Sequence, residues 1–166
     1  MTYDIHLVRR RAGRTLSETL DDISATYDPQ EPSLMELGVN ERSAWERVTR
    51  RAATELGPIT VEEYPTTLAL WRDGPSTFYQ LDYDGTSASI EIPYRYPGAA
   101  ALPVAEEAYR LARIVEEETG LEGFDAEVGQ DIRQGDPQTA AMKLGGISRW
   151  AAENLSVDAP TGPEHP

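Results

Sequence analysis

The sequence predicts an α+β protein, in which an antiparallel sheet of about five strands carries helices packed on one face. Strand-like segments follow one another in the middle of the chain with no helix between them, which is typical of antiparallel sheets. Segments with helical spacing lie before and after that run. One pair of segments, 77–83 and 86–94, alternates apolar and polar residues on either side of a turn, which predicts a hairpin.

The chain opens with a strand and a helix. Residues 2–10 begin with alternating apolar and polar side chains, which predicts a half-buried strand. The run from Thr15 to Glu18 has the capping-box pattern, in which the first and fourth residues bond each other's backbone N–H groups. We therefore expect the first helix to cover residues 16–25.

A second helix is expected over residues 41–56. Asn40 is a favoured N-cap residue, and the apolar residues of the segment fall on one stripe of the helix surface. The Gly-Pro pair at 57–58 ends the helix. Two strands are expected next, at 59–64 and 67–72, before the hairpin.

The stretch QLDYDGTSASIE, residues 80–91, has two interpretations. The first is a calcium loop: it matches an EF-hand at the third, fifth, sixth and twelfth positions, which are Asp82, Asp84, Gly85 and Glu91. An EF-hand loop has helices on both sides, whereas these flanks alternate like strands. The second interpretation, the hairpin, is therefore favoured.

The hairpin also predicts a register. A two-residue turn at 84–85 pairs Tyr83 with Thr86 and Leu81 with Ala88. Continued outward, this pairing collects the apolar side chains on one face and the polar side chains on the other. A slip of one residue would mix the two faces.

The last third of the chain predicts two more helices. The third helix begins near Pro103 and ends at Gly120, and residues 121–132 have room for one short strand. The fourth helix opens at Pro137, and we expect the glycine pair at 145–146 to interrupt it.

The length and composition predict one globular domain over residues 1–155, followed by a disordered Pro-rich tail at 156–166. The net charge is −14, from 15 Lys and Arg against 29 Asp and Glu. Such a protein should be repelled by nucleic acid and by anionic membranes, while a basic protein partner would be attracted.

The composition also bears on location and chemistry. No apolar run reaches the ~20 residues that span a bilayer, and the N-terminus lacks the charge order of a secretory signal, so we expect a cytoplasmic protein. The chain has no cysteine, which excludes disulfides and thiolate sites. No cofactor, metal site or catalytic constellation is predicted, because His6 and His165 lie in no ligand-like cluster and no glycine-rich loop has phosphate-binding form.

One local feature of the sequence suggests a contact surface. Three glutamates occupy the last turn of the third helix, where the helix dipole disfavours negative charge. Arg113 can offset two of them, but Glu118 has no such partner in its own helix. Tyr94 and Tyr96 continue the apolar parity of the hairpin, so the favoured interpretation is that they cover the edge of the core, but tyrosines are also frequent at interfaces. The predicted partner-binding residues are Glu116, Glu117, Glu118, Glu122, Asp125, Tyr94 and Tyr96.

These observations favour a non-catalytic protein-binding module, immunity- or antitoxin-like in its most specific form, with a basic protein as its partner. The alternative is a small-molecule-binding domain or an enzyme in which Glu91, Asp82 and Tyr94 surround one pocket. A concave pocket that holds a perturbed carboxylate would favour the alternative.

Three stretches of the chain resemble a group of small bacterial proteins. They are MTYDIHLVRR at the start, SIEIPYRYPG at 89–98 and ETGLEGFDAEVGQ at 118–130. Members of the group open with a Tyr-Asp-Ile strand and carry an Ile-Pro-Tyr strand before a helix that ends in a Gly-Leu-x-x-Tyr/Phe-Asp stretch. The group has no established activity, so the resemblance implies no catalytic residues.

Overall fold

A computed structural model describes residues 1–31 and 33–155; the predicted tail at 156–166 lies outside them. The chain runs as β1 (Thr2–Val8), α1 (Leu16–Thr26), α2 (Val39–Glu55), β2 (Thr60–Glu63), β3 (Leu68–Asp73), β4 (Phe78–Tyr83), β5 (Ser87–Pro93), α3 (Ala101–Thr119), β6 (Glu122–Asp125), β7 (Gln130–Asp131) and α4 (Pro137–Leu155). No helix among the described residues is long and apolar enough to cross a membrane.

The seven strands form one antiparallel sheet in the order β2-β3-β4-β5-β1-β6-β7. The predicted α+β class is confirmed. The sheet has more strands than the five expected, because the segment after α3 supplies both β6 and β7. The first strand is not at an edge of the sheet, because it lies between β5 and β6 and pairs with both.

One face of the sheet carries the main core, as predicted. Tyr3, Ile5 and Leu7 of β1 point into it and are almost completely buried. The helices α2, α3 and α4 cover this face with apolar stripes such as Val48 and Leu111. The helix α1 adds no residue to this core and lies instead beside β1 and β6. We call the opposite face of the sheet the outer face.

The β4–β5 hairpin is present, but its register differs from the predicted one by two residues. Leu81 pairs with Ile90 and Tyr83 with Ala88, so the two central turn residues are Gly85 and Thr86. Gly85 has φ +95°, which suits a turn with glycine at its first central position.

The physical reason for the different turn lies in Asp84. Its carboxylate accepts hydrogen bonds from the backbone N–H groups of Thr86 and Ser87, at 2.8 and 2.7 Å, so it caps the turn from the position before it. A shift of two residues keeps every side chain on its face. The alternation of apolar and polar residues is therefore compatible with both the predicted and the observed register.

The first two helices test the predicted caps. The capping box of α1 is confirmed: the Thr15 hydroxyl accepts from Glu18 N–H at 3.1 Å and the Glu18 carboxylate accepts from Thr15 N–H at 2.9 Å. The predicted N-cap of α2 is wrong, since the helix begins at Val39 and its N-cap is Gly38. Glycine is tolerated at that position, and Asn40 lies inside the first turn.

The predicted break at the glycine pair of α4 is also wrong, because the helix continues through it. A Cβ on Gly145 would lie 2.9 Å from the Gly98 carbonyl oxygen and 3.4 Å from the Ala101 Cβ. The missing side chain thus lets α4 pack closely on the start of α3.

Candidate functional site

The glutamates at the end of α3 are paired with arginines. Glu118 accepts from Arg47 at 2.8 Å and from Arg51 at 3.2 Å, and both arginines belong to the neighbouring helix α2. Glu117 accepts from Arg51 at 2.8 Å and from Arg113 at 3.4 Å. Glu118 has no partner in its own helix, as expected, but it is paired with two arginines of α2. Because these arginines belong to another helix, the spacing of residues along α3 could not predict them.

Two further carboxylates of the predicted contact, Glu116 and Glu122, are also engaged. Glu116 accepts from Arg113 at 2.7 Å and from the backbone N–H of Gly123 at 3.0 Å, which ties the end of α3 to β6. Glu122 receives two hydrogen bonds from Arg10, both at 3.1 Å. Much of the negative charge in this cluster is thus balanced within the molecule.

Asp125, also predicted as a contact residue, is completely buried. Its carboxylate accepts from the hydroxyls of Tyr3 at 2.7 Å and Tyr109 at 2.5 Å, and the side-chain amide of Gln130 donates to Tyr109 at 2.6 Å. Burial raises the pKa of Asp125, and the two tyrosine hydroxyls oppose that rise. In this position the carboxylate joins β1, α3 and β6.

The two predicted tyrosines lie apart from the glutamates. Tyr94 is half-buried and packs edge-on against Tyr3, with ring centroids 6.5 Å apart. Burial, followed by the charge of Glu127, raises the pKa of Tyr94 to about 12. Tyr96 is 8% exposed, and its hydroxyl accepts from the backbone N–H of Phe78 at 2.6 Å. Both tyrosines therefore cover the edge of the core.

A different region offers a concave site. A groove of about 680 Å³ lies between α1 and the outer face of the sheet. The strands contribute His6, Asp82 and Ser89 to its lining, and α1 contributes Leu20 and Ile23. This volume lies within the ~300–1,000 Å³ that small-molecule sites occupy.

Three polar side chains form a row across the sheet in this groove. His6 on β1 pairs with Ser89 on β5, and Ser89 pairs with Asp82 on β4. Asp82 is held in place because the amide nitrogen of Gln80 donates to both of its oxygens, at 3.0 and 3.1 Å, and the indole of Trp71 donates to Gln80 at 2.8 Å. Ser89 and His6 share no hydrogen bond in the part of the chain that the structure describes, so the row does not form a nucleophile–base pair.

The wall that α1 supplies carries an incompletely covered apolar stripe beside the polar residues Asp21 and Ser24. Leu16, Leu20, Ile23 and Tyr27 recur at the spacing of one helix face. Leu16 is buried, but Ile23 is 37% and Tyr27 is 74% exposed. The sequence shows this stripe. Only the tertiary structure shows that it faces a polar row across a groove.

Carboxylates also crowd the outer face beside the groove. Glu91 pairs with Asp4 on one side and with Gln80 on the other. Burial, and then the charges of Asp4 and Asp82, raise the pKa of Glu91 above its ordinary value. Burial and the same Asp4 charge raise the pKa of Glu127. This half-buried region therefore holds more negative charge than its surroundings balance.

The alternative prediction grouped Glu91, Asp82 and Tyr94 around one pocket. The structure brings two of these together on the outer face, where Asp82 lines the groove and Glu91 lies next to it. Tyr94 packs against the core side instead. Within residues 1–31 and 33–155, no group of three or more potential ligands is placed to hold a metal ion.

Comparisons with known proteins add no identification. No protein-family model matches the chain, and neither a curated protein nor a solved structure does. The resemblance to the bacterial group therefore stays an expectation.

Proposed function

We propose that the protein is a non-catalytic binding protein, and that the groove between α1 and the outer face takes a small organic cation with an apolar portion. One observation carries this proposal: an exposed apolar helix stripe and an oriented carboxylate, Asp82, face each other across a groove of small-molecule size. The apolar part of the ligand would cover Leu20 and Ile23, and its ammonium group would lie near Asp82.

The electrostatics support a cation rather than an anion. The groove lining includes Asp21, Asp82 and Asp84, while His6 is its one potentially basic side chain among the described residues. Burial, and then the charges of Asp4 and Asp82, raise the pKa of Glu91, and a positive group in the groove would offset those charges. An anionic ligand would add to that repulsion.

Calorimetric titration with octylammonium, and with octanoate as the oppositely charged probe of equal length, tests this function. We expect octylammonium to bind at least about tenfold more tightly than octanoate, and Asp82→Asn to weaken its binding about threefold to tenfold. Asp73→Asn is the matched control, since Asp73 is an exposed strand carboxylate outside the groove. Equal binding of both probes would disprove the cation preference, and no binding of either would disprove the groove as the site.

A second candidate is the binding of a basic protein, as the sequence predicts in its immunity- or antitoxin-like form. The net charge of −14 supports this function. The glutamates at the end of α3 give it less support than expected, because arginines of α2 already pair with them. The cytoplasmic location and the repulsion of nucleic acid stay predictions from the sequence.

A further inference from the structure

The strand β2 forms one edge of the sheet and is open on its outer side. It pairs with β3 alone, and all four of its residues, Thr60–Glu63, are exposed. An edge of this kind presents unpaired backbone groups to which an extended chain can add. The opposite edge, β7, has two residues and offers far less backbone.

The hydrogen-bond pattern shows which groups point outward. Tyr64 N–H donates to the Thr67 carbonyl at 2.8 Å, so this pair is bonded across the β2–β3 turn. Bonded and non-bonded pairs alternate in an antiparallel ladder. Counting back from the bonded Tyr64 pair, the pairs of Glu63 with Leu68 and of Val61 with Leu70 are the non-bonded ones. The N–H and C=O groups of Val61 and Glu63 therefore face the free edge.

Side chains next to this edge form a hollow that an incoming strand can use. The hollow has a volume of about 320 Å³ and lies between α2 and β2, where Trp45, Val61 and Leu68 line it. Val61 is 43% exposed. In strand addition, backbone bonds supply affinity and pockets for alternate side chains supply specificity. An apolar side chain of the added strand fits this hollow.

The charge of the edge selects the partner. Glu46, Glu62 and Glu63 line the hollow together with one base, Arg42, which is itself paired with Glu63 at 2.9 Å. A second copy of this chain would bring the same glutamates face to face, which is unfavourable. A segment with alternating basic and apolar residues complements the edge.

We infer that the free edge of β2 binds an extended basic segment of a partner protein as an eighth strand. This inference rests on the second candidate function, a basic protein partner, and it is independent of the groove. The backbone groups of Val61 and Glu63 pair with the segment, its basic side chains lie near the glutamates, and one apolar side chain enters the hollow.

A titration of the ¹⁵N-labelled protein with the capped hexapeptide Lys-Val-Lys-Val-Lys-Val tests the site. We expect amide shifts at residues 60–64, weaker binding at high salt, and no such shifts with the Glu-Val peptide of equal length. Shifts confined to the Glu116–Glu118 end of α3 would overturn the edge as the site and leave a basic partner in place. No saturable shift at either region would overturn both.

Two variants separate backbone pairing from general charge. Val61→Pro removes an outward N–H, and proline is tolerated where the N–H of an edge strand faces solvent. We expect it to weaken peptide binding at least about tenfold, whereas the matched control Val61→Thr keeps the N–H and most of the affinity. Glu62→Gln leaves the backbone intact and should weaken binding about threefold through the lost charge alone. Unchanged binding in a folded Val61→Pro would overturn the inference, and if that variant does not fold, the absence of peptide-induced amide shifts at residues 60–64 of the wild-type protein would overturn it.

Discussion

The two acidic regions of the protein differ in how their charge is balanced. At the end of α3, Glu117 and Glu118 each bond an arginine of α2. On the outer face, Asp4 and Glu91 lie side by side on paired strands, and Asp82 adds a further negative charge nearby. The first region is a network of ion pairs, and the second is a cluster of neighbouring carboxylates.

The pKa directions express this difference. Arg47 and Arg51 hold the pKa of Glu118 below its ordinary value, although some burial opposes them. Burial and neighbouring carboxylates raise the pKa of Glu91. A ligand gains the most binding free energy where the fold leaves charge unbalanced, so the outer face is a better candidate site than the end of α3.

The largest effect is expected at Asp125, a buried carboxylate of β6 that belongs to neither of these two regions. Asp125→Ala leaves the hydroxyls of Tyr3 and Tyr109 without their acceptor, so we expect the free energy of unfolding to fall by about 3 kcal/mol. Urea denaturation followed by circular dichroism measures this. The control Asp73→Ala, at an exposed strand end, should stay within about 0.5 kcal/mol of wild type. A loss below about 1 kcal/mol at Asp125 would show that the network is dispensable.

A smaller loss is expected from the ion pairs at the end of α3. The double change Glu117→Gln and Glu118→Gln leaves Arg47 and Arg51 without their partners on α3, and we expect the free energy of unfolding to fall by about 1 kcal/mol. The sequence alone predicts the opposite sign, because it shows only the repulsion between these glutamates and the helix dipole.

The same urea titration at low and high salt decides between the two signs. The loss should shrink at high salt, since exposed pairs are screened. Glu106→Gln, an exposed change on the same helix, serves as the control. A double variant more stable than wild type would mean that the dipole outweighs the arginines.

Much of the fold follows from the sequence, because local rules and the tertiary structure agree there. The capping box at Thr15, the glycine C-cap at Gly120 and the alternation of the hairpin all act within a few residues. The position of the hairpin turn could not be predicted from alternation, since a shift of two residues keeps every side chain on its face. The carboxylate of Asp84 fixes the turn position by accepting hydrogen bonds from the N–H groups of the turn.

The candidate site could be predicted only in part, for a physical reason. Alternation placed Asp82 and Glu91 on the same polar face, and the structure has them there. The partners of Glu118 and the groove depend on which helix packs where. The spacing of residues along α1 and α2 carries no information about that packing.

The smallest effect is expected on the outer face, where a substitution should stabilise the protein. Glu91→Gln removes a charge that Asp4 and Asp82 repel, and because the site is partly exposed we expect a gain of at most about 0.5 kcal/mol near neutral pH. Glu118→Gln serves as the comparison, since it removes a charge that Arg47 and Arg51 attract and should lower the stability.

The pH dependence of the free energy of unfolding tests this prediction most directly. The folded-state pKa of Glu91 is raised, so the folded protein holds that proton more tightly than the unfolded chain does. The resulting stability is fully present below the ordinary glutamate pKa of 4.5 and is lost as the pH rises through the raised folded value. For Glu118 the folded pKa is lowered, so its contribution is present above 4.5 and is lost as the pH falls through the lowered value. Urea denaturation of wild type and both variants from acid to neutral pH should therefore give two difference curves of opposite slope. If the Glu91→Gln curve is flat or has the same sign as the Glu118→Gln curve, the outer-face carboxylates are not crowded, and the electrostatic case for a cationic ligand is lost.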